Sequence, residues 1–268
     1  MLEHHANQAS GLLGLGSQNG PRMLAVVNHG DEQAELPLLW QLCLALVSYG
    51  YPVTVLDATT YESESNPGLM ELLDNSHWQE SVNRDAPAWM VLPAAKGIQS
   101  LCTLHSPREQ SLKQLSHLFT DGGVVILYCK VEWMTPLIAE TGIEPLLAIS
   151  KSRTSLITSY LALKRLLITA KLRPTIVNMI QDPQPASPEF DNRTGASLSD
   201  CAKRFLGQEV KALNIVEQLG EESPNADIQC LALRLMESAL PMSNLEAPYA
   251  WHARVSHFGP VDHFSGSH

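Results

Sequence analysis

Residues 22–49, RMLAVVNHGDEQAELPLLWQLCLALVSY, contain the signals of a strand, a turn and a helix in direct succession. Residues 22–28 form a nearly continuous apolar run, which is typical of a strand buried on both faces. Residues 36–49 are predominantly apolar and long enough to form a helix. A second apolar run, VTVLD at 53–57, follows shortly afterwards. This order predicts a β-α-β unit at the start of an α/β domain.

Predicted strands and helices continue to alternate along the chain as far as residue 240. We predict further strands at 89–92, 123–128, 145–149, 174–179 and 212–216. We predict helices at 68–73, 107–119, 152–171, 198–206 and 224–240. Such alternation predicts a doubly wound, mostly parallel sheet with helices on both faces. The chain is thereby divided into a mobile N-terminal arm (1–21), an α/β domain (22–240) and a C-terminal tail (241–268).

The acidic balance of the chain argues against several classes of partner. The formal net charge is −10, whereas nucleic acids and anionic lipid surfaces both attract basic patches. No apolar stretch approaches the roughly 20 residues of a membrane span, and the N-terminus lacks the pattern of a signal peptide. The five cysteines are scattered without metal-ligand spacing, which indicates reduced thiols. We therefore predict a cytoplasmic protein that binds no nucleic acid, inserts into no membrane and holds no metal.

The turns at the carboxyl ends of the strands carry the functional prediction, because ligands bind there in parallel sheets. The first of these turns, HGDEQAE at 29–35, has one glycine, no lysine and three carboxylates, on Asp31, Glu32 and Glu35. A phosphate-binding turn instead needs glycines, whose backbone N–H groups converge on an oxyanion, and a lysine that neutralises the charge. The sequence therefore predicts the architecture of a nucleotide-binding domain without its chemistry.

Four short segments carry a family resemblance. The sequence NQASGL at 7–12 is similar to a DQAxGLR motif, and RTSLITSYLALK at 153–164 is similar to a PTSxTDAYALIK helix. Residues 44–57 match a first helix and second strand, and residues 177–179 with 204–207 match a late strand and its helix. Taken in this order, the segments resemble the MinD/ParA class of deviant P-loop ATPases. Within that class they are most similar to FlhG (FleN), the regulators of flagellar number and placement.

The chain departs from the family at the phosphate-binding turn. The family motif is GKGGVGK[ST], and an alignment without gaps places Gly30 at its signature lysine. Glu35 replaces the lysine that binds the phosphates, and Leu36 replaces the hydroxyl that holds magnesium. The resemblance therefore implies a P-loop whose charge has been reversed.

Two further family positions have also changed. Asp57 keeps the carboxylate of the second strand, but Thr59 stands in place of the acid two residues later. Tyr128 replaces the aspartate that ends the switch strand. The predicted degenerate nucleotide site consists of Gly30, Asp31, Glu32, Glu35, Asp57, Tyr128 and Asn178.

We predict that this site neither binds nor hydrolyses ATP. Two like unit charges about 4 Å apart repel by roughly 1 kcal/mol in water and by about 4 kcal/mol at an effective dielectric constant of 20. The protein is accordingly predicted to be no ATPase, to use no cofactor and to form no ATP-dependent dimer. Three alternatives remain for the acidic turn: a solvated loop at a helix N-terminus, a divalent-cation site that includes Asp57, and a docking site for a basic partner segment.

The resemblance also implies a protein partner. In the family, the DQAxGLR motif contacts FlhF, a signal-recognition-type GTPase, and stimulates its hydrolysis. Gln8, Ala9, Gly11 and Leu12 match this motif and are the predicted partner-binding residues, whereas Leu13 replaces its arginine. The predicted function is regulation of flagellar assembly by protein–protein contact, with recruitment to the cell pole. The alternatives are a scaffold for another polar, septal or secretion assembly, and a divergent α/β enzyme that uses the strand-end cleft.

Overall fold

The computed structural model describes residues 20–74, 89–103, 107–119, 122–180, 193–216 and 224–242 of the chain. The predicted partner-binding residues Gln8, Ala9, Gly11 and Leu12 lie outside the described residues, as does nearly all of the predicted tail. Every other predicted site residue lies in the described α/β domain.

The strands and helices alternate over the whole of the described domain. The strands are β1 (Arg22–Val27), β2 (Val53–Asp57), β3 (Trp89–Pro93), β4 (Val124–Cys129), β5 (Leu146–Ile149), β6 (Thr175–Ile180), β7 (Lys211–Val216) and β8 (Leu240–Pro241). The helices are α1 (Glu32–Ser48), α2 (Leu69–Asp74), α3 (Ala95–Thr103), α4 (Arg108–Ser116), α5 (Val131–Ile138), α6 (Arg153–Arg165), α7 (Arg193–Cys201) and α8 (Ala226–Ser238). Helices α6 and α7 each continue into a π-helical turn, Leu166–Ala170 and Ala202–Leu206 respectively.

The strands form one sheet in the order β3-β2-β4-β1-β5-β6-β7, and all of these neighbours are parallel. The short strand β8 pairs antiparallel with β1. Strand β1 is central, with Val26 opposite Tyr128 of β4 and Leu146 of β5. The predicted doubly wound parallel sheet is confirmed. The turn after β1 lies between the carboxyl ends of β4 and β5, the two strands next to β1.

Two apolar cores cover the two faces of the sheet. Along β1, Leu24 and Val26 point into a core shared with α1 and α8, whereas Ala25 and Val27 point into the core that contains α4, α5 and α6. This alternation follows from the two-residue period of a strand and explains why the whole segment is apolar. None of the described helices is long and apolar enough to cross a membrane.

Four helices differ from the sequence prediction. Helix α7 begins at Arg193, five residues before the predicted start at residue 198, so that start was wrong. Helix α1 begins at Glu32, four residues before the predicted start at residue 36, so that start was wrong. Helices α3 and α5 were not predicted, because Gly97 and Pro136 are typical helix breakers. Gly97 has a packing role instead, since a Cβ atom there would lie 2.6 Å from the Cγ of Leu69 on α2.

Candidate functional site

The turn after β1 is shorter than its sequence suggests. It spans residues 28–31, because Ala34 and Glu35 already donate their backbone N–H groups to the carbonyl oxygen of Asp31 and so begin α1. Gly30 reverses the chain with a φ of +93°, a conformation that L side chains rarely adopt. Glu32 and Glu35, two of the three carboxylates of the predicted acidic turn, therefore belong to the first turn of α1.

The carboxylate of Glu35, in the first turn of α1, accepts the hydrogen bonds that hold this turn together. Its Oε1 atom accepts hydrogen bonds from the backbone N–H groups of His29 and Asp31, both at 2.9 Å. Its Oε2 atom accepts from Asn28 Nδ2 at 2.8 Å and from the Tyr128 hydroxyl at 2.5 Å. The residue is fully buried. Backbone N–H groups that converge on an oxyanion are the device by which such turns bind phosphate, and here they bind a carboxylate of the same chain.

Tyr128 closes a triangle of hydrogen bonds with Glu35 and Asn28. Its hydroxyl donates to Glu35 and accepts from Asn28 Nδ2 at 2.9 Å. Burial, and then the hydrogen bond to the Glu35 carboxylate, raise the pKa of Tyr128 well above its ordinary value. The phenol therefore stays protonated and keeps its donor. Tyr128 at the end of β4 thus stabilises Glu35 in the first turn of α1.

Asp31 connects the turn to the end of β5. Its Oδ2 atom accepts a hydrogen bond from the backbone N–H of Ser150 at 2.8 Å, and its side chain is almost fully buried. Among the carboxylates of Asp31, Glu32 and Glu35, that of Glu32 alone is exposed. The prediction of a solvated acidic loop is therefore wrong for Asp31 and Glu35, which both act as internal acceptors.

His29 connects the same turn to β5 and α6. Its Nε2 atom lies 2.6 Å from the carbonyl oxygen of Ala148 and must carry a proton, because a carbonyl can only accept. Its Nδ1 atom lies 2.8 Å from Thr158 Oγ1 on α6. The side chain is 2 % exposed. The histidine is therefore a structural link between three elements of the fold.

Asp57 lies at the end of β2 and is engaged by its own loop. Its Oδ1 atom accepts from the backbone N–H of Thr59 at 2.9 Å and from the Thr59 hydroxyl at 2.6 Å. Its Oδ2 atom accepts from the Thr60 hydroxyl at 2.7 Å. Thr59, at the position where the resemblance implied a second acid, therefore donates two hydrogen bonds to the Asp57 carboxylate.

Asn178 lies apart from the other predicted site residues. It is a fully buried residue in the interior of β6, two strands from β1, and its Nδ2 atom donates to Asn214 Oδ1 on β7 at 2.9 Å. The structure thus brings Gly30, Asp31, Glu35 and Tyr128 together, with Asp57 on the strand next to Tyr128, but not Asn178. Asn28, which donates to Glu35 and Tyr128, was not predicted as a site residue. Its position directly after β1 could have indicated it.

Two observations on the described residues bear on catalytic chemistry. No group of three His, Cys, Asp or Glu side chains within the described ranges is arranged to hold a metal ion. Burial raises the pKa of the Cys43 thiol to about 12 and that of Cys102 to about 11, and it also raises the pKa of Cys129. A nucleophilic cysteine needs a pKa shift in the opposite direction.

An open cleft lies beside the closed turn. It has a volume of about 660 Å³ and extends from Asn28, His29 and Gly30 between α5 and the outer face of α6 with its π-helical turn. Its walls carry Lys130, Glu132, Leu161, Lys164, Arg165 and Ile168. The cleft thus combines apolar side chains with charged ones, and three of its four charged side chains are basic. The turn at its base is acidic instead.

Comparison of the whole fold with solved structures identifies its class. A chain of the MinC:MinD cell division protein complex of Aquifex aeolicus matches with a TM-score of 0.53 at 12 % identity, over 82 % of this chain and 97 % of that chain. McdA of Cyanothece in complex with ATP matches with a TM-score of 0.52 at 13 % identity, over 83 % and 97 %. The chain has the MinD/ParA P-loop ATPase fold.

Cobyrinic acid a,c-diamide synthase from Mycobacterium smegmatis, with bound ADP and magnesium, has the same P-loop fold. It matches with a TM-score of 0.53 at 18 % identity, over 81 % of this chain and 94 % of that chain. No protein-family model and no curated protein sequence matches the chain. At these identities the property that this chain shares with P-loop ATPases is the fold.

Proposed function

We propose that the protein is a non-hydrolysing member of the MinD/ParA class that acts by protein–protein contact. The observation that carries this proposal is the position of the Glu35 carboxylate, which takes four hydrogen bonds in the turn where a P-loop would hold phosphate. ATP would have to displace a fully bonded internal anion, and no lysine of the turn would compensate its charge. In this proposal the fold of the class is kept, and the Glu35 carboxylate of the chain itself takes the place of a nucleotide phosphate.

Loss of the nucleotide position has a consequence for assembly. Dimers of the MinD class form across the nucleotide, with a lysine of each subunit reaching into the other, and Gly30 stands at that lysine. We propose that the oligomeric state of this protein is independent of ATP. Size-exclusion chromatography with and without Mg-ATP tests this, and the elution volume is expected to be unchanged. An ATP-induced shift to the volume of a dimer would contradict the proposal.

The finer assignment is regulation of flagellar assembly, number or placement, and it rests on the N-terminal resemblance. Gln8, Ala9, Gly11 and Leu12 match the FlhG motif that contacts an FlhF-like GTPase, and such a partner is the one we propose. A pull-down from cells that produce the protein, with the full chain and a variant lacking residues 1–20, tests this role. The GTPase is expected with the full chain only. Equal recovery by both proteins would remove the arm from the proposal.

A further inference from the structure

The outer face of α6, which forms one wall of the cleft, carries an exposed apolar stripe. Ile157, Leu161 and Ile168 are 54 %, 55 % and 56 % exposed, and they follow one another along one side of α6 and its π-helical turn. Their neighbours Leu163 and Leu166 are fully buried. The helix therefore has apolar side chains on both its inner and its outer face, and an outer apolar stripe marks an interaction surface.

The same helix and its flanking residues are basic, although the chain as a whole is acidic. Residues 151–171 contain Lys151, Arg153, Lys164, Arg165 and Lys171 but no Asp or Glu, although the whole chain has 28 acidic and 18 basic residues. A surface of this composition in an acidic protein indicates an acidic binding partner.

Part of this positive charge has no carboxylate partner among the described residues. Arg165 pairs with Glu132 across the cleft. Lys171 pairs with Glu140 at 2.7 Å. Lys130 and Lys164, which line the cleft on its two sides, form no ion pair within the described ranges. Two lysines of opposite walls are thus available to carboxylates placed between them.

The shape of the cleft is set by the turn at its base. The contact of His29 with Thr158 joins the turn to the middle of α6. The hydrogen bond from Ser150 to Asp31 joins the turn to the residue that follows β5, shortly before α6. Glu35 holds the turn from the other side. The docking wall is therefore held in one position without a nucleotide, which is the property of a preorganised binding site.

We propose that an acidic amphipathic helix of a partner protein docks in this cleft. Apolar side chains of such a helix would contact Leu161 and Ile168, and its carboxylates would lie near Lys130 and Lys164. The two terminal segments outside the described residues match the charge poorly: residues 1–19 have one acidic residue, and residues 243–268 have two acidic residues and one arginine. The internal segments 181–192 and 217–223 each have three acidic residues and no basic one, and the test below distinguishes them from a partner protein. This inference rests on the proposed function only in requiring a protein partner, and it concerns a surface other than the arm.

Site-specific photo-cross-linking tests the proposed occupant. Benzoylphenylalanine is placed at Leu161 of the full chain, in cells that produce the protein, and the cross-linked peptide is sequenced by mass spectrometry. Met90, which is 46 % exposed on β3, is the matched position on another surface. We expect a peptide of another protein with several carboxylates and apolar residues at helical spacing, from the Leu161 probe and not from the Met90 probe.

The charge requirement is tested in the same experiment. Lys164→Glu is expected to lower the yield of the Leu161 adduct on the order of tenfold, because it places a like charge in the cleft. Lys113→Glu, the same change on the exposed side of α4, is expected to leave the yield unchanged. The proposal would be overturned by an adduct with a basic peptide, with a second copy, or with residues 181–192 or 217–223 of the same chain. It would also be overturned by an adduct that is insensitive to Lys164→Glu, or by no adduct. The cross-linking is repeated with a variant that lacks residues 1–20 and in the presence of added Mg-ATP. A Leu161 adduct that persists under both conditions supports docking in the cleft, whatever the tests of the arm and of ATP binding give.

Discussion

The turn after β1 and the cleft beside it share residues 28–30 and have opposite properties. In the turn, the buried carboxylates of Glu35 and Asp31 accept hydrogen bonds from the chain itself. In the cleft, exposed apolar side chains and lysines face solvent. In this chain the turn after β1 is therefore closed by internal hydrogen bonds, while the adjacent surface is open to solvent.

The largest effect is expected at the centre of the turn. Glu35→Ala removes the acceptor of four donors, of which two are backbone N–H groups. A buried donor left without an acceptor costs about 1–3 kcal/mol, so the substitution is expected to lower the free energy of unfolding by about 3–5 kcal/mol. Urea denaturation measures the difference. The control is Glu32→Ala, which changes an exposed carboxylate three residues away and should alter stability by less than about 0.5 kcal/mol; equal effects would contradict the account of the turn.

A smaller loss is expected when one donor of the cluster is removed. Tyr128→Phe keeps the ring in the core but deletes the hydroxyl that donates to Glu35. Hydrogen bonds to charged groups contribute about 1.5–3 kcal/mol, and this is the expected decrease in stability. Tyr61→Phe, at an exposed tyrosine, is the matched control and should be close to neutral. A neutral Tyr128→Phe variant would mean that the bond to Glu35 contributes nothing.

The raised pKa of Tyr128 predicts a change with pH. The native phenol stays protonated where the unfolded chain ionises, so its contribution to stability is complete below the unfolded pKa of about 10 and decreases as the pH rises beyond it. The stability difference between the wild type and Tyr128→Phe should therefore shrink by about 1.4 kcal/mol per pH unit above about pH 10. Denaturation curves at several alkaline pH values measure this. A difference that is constant with pH would show that the phenol ionises equally in both states.

The smallest effect on stability is expected in the cleft. Leu161→Ser changes a side chain that is 55 % exposed, and Lys164→Glu changes an exposed charge with no ion pair among the described residues. Both substitutions should alter the free energy of unfolding by no more than about 0.5 kcal/mol. Thermal or urea denaturation checks this. A loss comparable to that of Tyr128→Phe would mean that the cleft wall is part of the core rather than a contact surface.

The sequence predicted the sheet because its central strands are apolar on both faces and are separated by helical segments. It also located the altered turn, since a glycine-poor acidic stretch after a first strand is visible without coordinates. It did not predict that Glu35 points inward, because that depends on Tyr128, which is 93 positions away in the chain. The helix start at Glu32 was missed for a local reason: Pro37 is typical of a first helical turn but lies inside α1.

The central claim is that the internal carboxylate replaces the phosphates of a nucleotide. Isothermal titration calorimetry of the full chain with Mg-ATP, beside an active P-loop ATPase as the positive control, tests it most directly. The account predicts no binding heat up to millimolar nucleotide, because Glu35 already occupies the donors of the turn and no lysine offsets the phosphate charge. Stoichiometric binding of Mg-ATP with micromolar affinity would contradict it.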